Sequence, residues 1–339
     1  MSAAGRNVQI FSSSEDLERI EAEWFEFWSG CPGASPFQSP DWLIPWWKYF
    51  GSGQLWVHMV RDGLGPAGIA PLYLLERDGH REAVFIGTGI SDCLDFLVRP
   101  DSALQHAAAL CESISCGLGP FDICDLQEVS SESPLLRAEF PAAVGIRKEA
   151  HNRRFVVRLP ESMELYLRGL AKKHRSNLRR ARRLLAESGP AEIEAADAES
   201  LDSFLDALFS LHCRRWAELQ QPGVLQGDAI RSFHGEVCAR MLKRDLLRFY
   251  RMSRLGRPAA ALYSFRRGDR VYCYLSGFDP EMGRCSPGIV LLAHAIEKAI
   301  GEGVREFDFL RGDEEYKMKW NPEPRQNYRV RLIPEKART

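Results

Sequence analysis

What the sequence leaves out narrows it first. It contains no Walker A loop, no complete GxGxxG and no GxSxG. Phosphate-loop hydrolysis, glycine-fingerprint dinucleotide binding and a hydrolase nucleophile elbow therefore have no support. The 8 histidines show no HExxH or related spacing, and the 9 cysteines form no CxxC pair or Cys/His cluster at zinc spacing. No metal site is expected. Several cysteines (Cys213, Cys238, Cys273) sit inside apolar patterns, as buried thiols of a reducing compartment do. The opening MSAAGRNVQIFSSSEDLERI has no apolar core of a signal peptide, and no run approaches membrane-spanning length. The expectation is a soluble, cytoplasmic protein without a membrane span. Charge of either sign is not in excess: 45 basic against 46 acidic residues, formally −1. Any anionic partner must then be held by a local patch.

What is present is a globular composition, 45% hydrophobic and 27% charged over 339 residues, enough for two ordinary domains. The most informative stretch runs from Arg270 to Trp320. Arg270–Phe278 is rich in β-branched and aromatic residues and reads as an interior strand stopped by Asp279-Pro280. A loop of small residues (Gly283, Ser286, Pro287, Gly288) follows. Ile289, Leu292, Ala293, Ile296 and Ile300 then form one helical apolar stripe, ended by Gly301 and Gly303. Glu306–Leu310 is the next strand. In such a unit the first free N–H groups of the helix face the end of the first strand, a ready site for an anion. An ordinary crossover whose glycines only make turns fits the same residues.

The order of elements occurs twice. QLWVHMVRDG, GPAGIAPLYLLERDG and REAVFIG form a meander with Asp-Gly-type turns, followed by a strand at 94–98, a helix at 102–115 and the strand FDICDL. LLRFYRMSRLG, RPAAALYSFRRGD and RVYCYLSGF repeat it, followed by the Gly288 helix and EFDFL. This is read as an internal duplication of an α/β (α+β) unit with a mainly antiparallel mixed sheet. The expected domains are 1–150 and 151–339. The first copy carries GTGISDCLDFLV where the second has its small-residue loop, so the ligand site is expected in the second and a degenerate one in the first. Upstream, the aromatic-heavy WLIPWWKYF reads as a short helix whose Trp42, Trp46, Trp47 and Phe50 are either core, the commoner case, or the lining of a ligand groove.

Between the copies lies one long helix, expected over 161–188, with AKKHRSNLRRARRLLAESG at its middle. Leucines make a stripe, while Lys172, Lys173, Arg175, Arg179, Arg180, Arg182 and Arg183 crowd the remainder. A solvated face and an anion-binding face both fit; few acids interleave to neutralise it. Aromatic residues for base stacking are absent, which argues against a general RNA surface.

SGFDP, then SPG before an apolar helix, then FDFLRGDEEYKMKW resemble the CelD-like branch of the GNAT N-acetyltransferase superfamily, associated with cellulose and exopolysaccharide biosynthesis. The resemblance covers the last half of the chain, including the helix near Lys172, and reaches FQSPDWLIPWW more diffusely. It implies tandem GNAT-like domains and acyl transfer from acetyl-coenzyme A to an amine, less readily a hydroxyl, of a sugar or cell-envelope precursor. In such a fold Ser276, Gly277 and Phe278 would offer backbone N–H groups to the oxyanion. Arg284, Ser286 and Gly288 would hold the pyrophosphate, although Arg284–Gly288 matches the usual Gln/Arg-x-x-Gly-x-Gly/Ala loop only in part. Asp279 and Asp308 compete as the base, and Tyr316 stands where a thiolate-protonating tyrosine is placed. Arg311 and Lys317, with Arg175 and Arg179, are candidates for an anionic substrate. The tandem architecture is also similar to that of Fem-type aminoacyltransferases, which implies aminoacyl-tRNA as an alternative donor. A non-catalytic assembly subunit is the third reading.

Overall fold

The structure, a computed structural model, describes residues 7–116, 121–142, 144–187, 189–218, 225 and 227–334. The fold is mixed α/β, mainly antiparallel sheet flanked by helices, arranged as two compact units. The first runs to Arg153 and resumes at Arg325; the second spans Arg154–Pro324.

In the first unit the chain forms β1 (Asn7–Phe11), α1 (Ser14–Ser29) and α2 (Pro40–Phe50). Next come β2 (Gln54–Asp62), β3 (Gly65–Arg77), β4 (His80–Phe85) and β5 (Leu97–Val98). It continues with α3 (Ala103–Ser115), β6 (Ile123–Ser130) and β7 (Val144–Arg158), whose last residues serve the second unit. A full capping box of Ser13 and Asp16 starts α1, and its face of Leu17, Ile20, Trp24 and Trp28 is buried. Trp42 and Trp46 of α2 are likewise buried, so this aromatic helix is core.

The second unit adds α4 (Met163–Gly169), α5 (Lys172–Glu187), β8 (Ala191–Ala195), α6 (Leu201–Glu218) and α7 (Asp228–Lys243). Then follow β9 (Leu247–Arg254), β10 (Arg257–Arg267), β11 (Arg270–Phe278), α8 (Pro287–Gly301), β12 (Glu306–Arg311) and α9 (Glu315–Met318). β13 (Glu323–Pro334) pairs with β6, which returns residues from Arg325 onward to the first unit. The 151–339 boundary expected from the sequence differs here, because a terminal strand carries no local mark of its partner.

The long helix expected over 161–188 is two helices. Leu170 turns extended (φ −82°, ψ 156°) after Gly169 and buries its side chain. Arg175 donates to the carbonyl oxygens of Leu170 (2.5 Å) and Arg168 (3.2 Å), satisfying groups that the break releases.

Strand order in the first unit is β1-β2-β3-β4-β6-β13, and in the second β8-β9-β10-β11-β12-β7. Each is an antiparallel meander of four strands and one parallel pair joined through a crossover helix, β4 with β6 and β11 with β12. An antiparallel strand follows, β13 on β6 and β7 on β12. The repeat extends to side chains. Asp125 on β6 is bound by Arg329 of β13 (2.5 and 2.6 Å), and Asp308 on β12 by Arg154 of β7 (2.5 Å). In each pair the arginine precedes by two the residue opposite the aspartate, Arg331 and Val156 respectively.

In the second unit the sheet has two covered faces. Leu262, Val271 and Cys273 join the cluster built with α5 and α8. Tyr263 and Tyr274 turn the other way, against His234 of α7, while Phe249 meets Phe204 of α6.

Candidate active site

The parallel pairing of β11 with β12 lasts only from Arg270/Glu306 to Tyr272/Asp308. Beyond it β11 stays on β10 as far as Phe278, but its other edge parts from β12. Cys273–Phe278 is thus a strand edge whose outward backbone groups are not spent on that ladder. Beside it, Pro280–Cys285 forms a 3-10 turn, and Ser286 takes a left-handed conformation (φ 47°, ψ 55°) to redirect the chain into α8. A non-glycine residue there is strained, so the turn is held by its context. Pro287 has no N–H, which makes Gly288 the first donor of α8.

A cavity of about 260 Å³ is bounded by this stretch of β11, the 3-10 turn and α8. Ser276, Gly277 and Phe278 from β11, Ser286 and Gly288 from the turn and helix, and Tyr316 from α9 all line it. Six of the residues singled out from sequence thus come together. Gly277 has a second reason to be glycine: a Cβ there would sit 2.9 Å from the His212 nitrogen and from the Leu211 Cβ on α6. Gly288 has more room, a Cβ meeting the Phe278 ring at 3.4 Å.

Other expected residues lie differently. Asp279 is not a wall of the cavity but follows Phe278 directly; its carboxylate accepts from the Glu281 N–H (3.1 Å), with Arg214 at 3.8 Å. Asp308 is fully buried, bound by Arg154 and accepting from the Leu310 N–H (2.9 Å). Its counterpart in the other unit has the same kind of partner, so it reads as a brace. Lys317 is buried too. Its ammonium donates to the carbonyls of Arg311 (2.6 Å) and Gly312 (3.0 Å) and pairs with Glu314 (2.7 Å). It closes the turn that carries Tyr316, whose ring meets Phe309 edge-on. Arg311 is half-buried, and Arg284 is exposed beside Gly283.

The basic α5 packs on α8 and on the 3-10 turn. Leu178, Ala181 and Leu185 face inward, and His174 wedges against Trp320 (4.6 Å) with its proton affinity lowered by burial and by Lys319. Arg175 is engaged with carbonyls, Arg182 approaches Glu297 (3.6 Å) and Arg183 approaches Glu187 (3.5 Å). Arg179 is exposed, as are Lys172, Lys173 and Arg180.

Sequence reading missed the walls of the cavity: Ala261 and Leu262 on β10, Cys273 on β11, and Ile289, Leu291 and Leu292 on α8. Their alternation marks a buried strand and helix, but nothing in it separates a wall from solid core. Burial pushes the Cys273 thiol up to about 12, so it is an inert surface and not a nucleophile. Among the described residues no group of three or more His, Cys, Asp or Glu is arranged to hold a metal ion.

Residues 172–318 match the acetyltransferase (GNAT) domain family, a span that includes the splayed strands, the turn, α8 and Tyr316. The match supports a GNAT-type acyltransferase fold for this stretch. The whole chain is similar in fold to FemX (TM-score 0.69, 11% identity, 93% of this chain and 96% of that one). It is also similar to the C-terminal domain of a putative lysylphosphatidylglycerol synthetase from Agrobacterium fabrum (0.57, 12%, 94% and 92%). L-PGS from Bacillus licheniformis is a further likeness (0.54, 14%, 96% and 92%). No curated protein matches the sequence.

Proposed function

We propose that the protein is a coenzyme A-dependent N-acyltransferase whose donor lies in the second unit. The observation that carries this reading is the divergence of β11 from β12 over a cavity that reaches the first turn of α8. A thioester donor needs a channel for a neutral, extended arm and a cationic or N–H-rich mouth for its phosphates. The cavity walls carry no charged side chain; Ser286 and Gly288 are among them, and the exposed Arg284 lies on the adjoining 3-10 turn.

In this reading the acceptor amine attacks the thioester carbonyl, and the N–H groups of Ser276–Phe278 receive the oxyanion. Asp279 takes the amine proton. The carbon–nitrogen bond forms, the carbon–sulfur bond breaks, and Tyr316 gives its proton to the departing thiolate. Asp308 stays outside these steps, held by Arg154. An amine on a sugar or cell-envelope precursor is the acceptor that the sequence resemblance favours, and the first unit is then a GNAT-like copy with a degenerate donor site.

The second reading is Fem-type transfer from aminoacyl-tRNA. The exposed cations of α5 beside the 3-10 turn favour it, since they suit a polyphosphate longer than coenzyme A. Thermal shift with coenzyme A, acetyl-coenzyme A and aminoacyl-tRNA separates the two. Stabilisation by the first two supports the proposal, stabilisation by tRNA alone replaces it, and no shift with any favours a non-catalytic subunit.

A further inference from the structure

The outer face of α5 takes no part in the steps of acyl transfer. The helix is 16 residues long, about 24 Å. His174, Leu178, Ala181 and Leu185 are buried on its inner face, so Lys172, Lys173, Arg179, Arg180 and Arg183 fan across the opposite one. Arg183 approaches Glu187 at 3.5 Å. The other four are exposed and, among the described residues, have no ion-pair or hydrogen-bond partner. Arg179 and Arg180 each lie within one turn of Arg183, and like charges at that spacing destabilise a helix. A chain of formal charge −1 thus concentrates uncompensated cations on one strip.

Two neighbouring elements add apolar side chains. Trp320, just past α9, accepts at its carbonyl from the Tyr166 hydroxyl of α4 (2.8 Å) and meets the His174 ring of α5 at 4.6 Å. Leu165 on α4 and Met318 on α9 are 50% and 42% exposed, two of the three large apolar side chains that the described second unit leaves open to solvent. The charges beside them, Arg168 and Lys319, are already paired with Glu164 and Glu315. None of the large apolar side chains exposed among the described residues is aromatic, so this surface offers no platform for stacking bases. An anionic bilayer suits both parts: its headgroups meet the α5 cations, and its interfacial layer takes up Leu165 and Met318. We infer that α5, with Leu165 and Met318, docks the second unit on an anionic phospholipid membrane. Because α5 also packs on the 3-10 turn beside the cavity, docking holds the candidate site roughly one helix diameter from the headgroups.

Cosedimentation of the intact protein with two kinds of vesicle tests this: phosphatidylcholine alone, and phosphatidylcholine with one-third phosphatidylglycerol. Adsorption is expected only to the second and should fade as salt rises. Each cation near such a surface strengthens adsorption about fivefold, so Arg179→Gln with Arg180→Gln should weaken it about 25-fold. Leu165→Ser with Met318→Ser should weaken it severalfold, the thermal transition serving as the check on folding. Equal adsorption to both vesicles, adsorption to neither, or adsorption indifferent to loss of the two arginines overturns the inference. Adsorption unchanged by the two serines, or protein stripped from the vesicles by tRNA at matched salt, assigns α5 to a soluble polyanion and overturns it as well. Coenzyme A takes no part in these measurements, so their failure leaves the donor reading intact.

Discussion

Asp308 and Asp279 show how two aspartates near one cleft come to different duties. Asp308 is without solvent contact and has a guanidinium at 2.5 Å. Replacing it by Asn removes the anion paired with the buried Arg154, and breaking such a pair typically costs about 3–5 kcal/mol. Asp308→Asn should therefore lower the urea midpoint strongly. A variant of unchanged stability but reduced turnover would instead make Asp308 a base. Asp279→Asn keeps an oxygen for the Glu281 N–H and loses the proton acceptor, together with the longer ion pair to the exposed Arg214. Its fold should be intact while kcat/KM falls about 10²-fold or more. Asp95 of the first unit gives a different signature. Burial pushes its carboxyl up to about 7, against the opposing hydrogen bonds from Ser133 and Phe96. Because the folded state holds this proton more tightly than the unfolded chain, the contribution is full below about pH 4 and is lost as pH rises to about 7. Asp95→Asn, which keeps a neutral side chain, should thus gain stability relative to the parent between pH 4.5 and 8 in paired urea titrations. A difference independent of pH would show that the carboxyl is not proton-bound in the fold.

At the scale of elements, α8 and α5 divide the presentation of positive potential. The N–H groups of α8 begin at Gly288, whereas α5 offers side-chain cations on its outer face. Gly288→Val should weaken donor binding with little effect on the thermal transition, since a Cβ there has only the Phe278 ring at 3.4 Å to meet. On α5 the useful pair to change is Arg179 and Arg180, because Arg175 is committed to the carbonyl groups after α4. Arg179→Gln with Arg180→Gln should raise KM for an anionic substrate several-fold at low salt and hardly at all at high salt. An unchanged KM at low salt leaves α5 as a solvated face. The α5 cations were legible in the sequence, and so was the SPG turn, because both depend on local composition. The break at Leu170 was not legible: it follows from a tertiary demand to bury that leucine, which helical periodicity does not record. The cavity walls stayed hidden for a related reason. Leu262 and Leu292 have the same pattern whether the space between them is filled or open.

For the molecule as a whole, the repeated meander could be read from sequence because turn residues punctuate both copies alike. The destination of the last strand could not, since the pairing of β13 with β6 joins residues about two hundred positions apart, such as Asn327 and Ser130. That pairing makes the first unit discontinuous, with Val330 and Leu332 fully buried in it. Domains that emerge first from the ribosome usually fold first. Here the N-terminal half must wait, with the edge of β6 open, until the segment after Pro324 has been synthesised. The later half, contiguous from Arg154, is free to mature while its predecessor is still incomplete. Birth order and folding order of the two units are then reversed, and a truncation just after Pro324 would strike the unit that was made first.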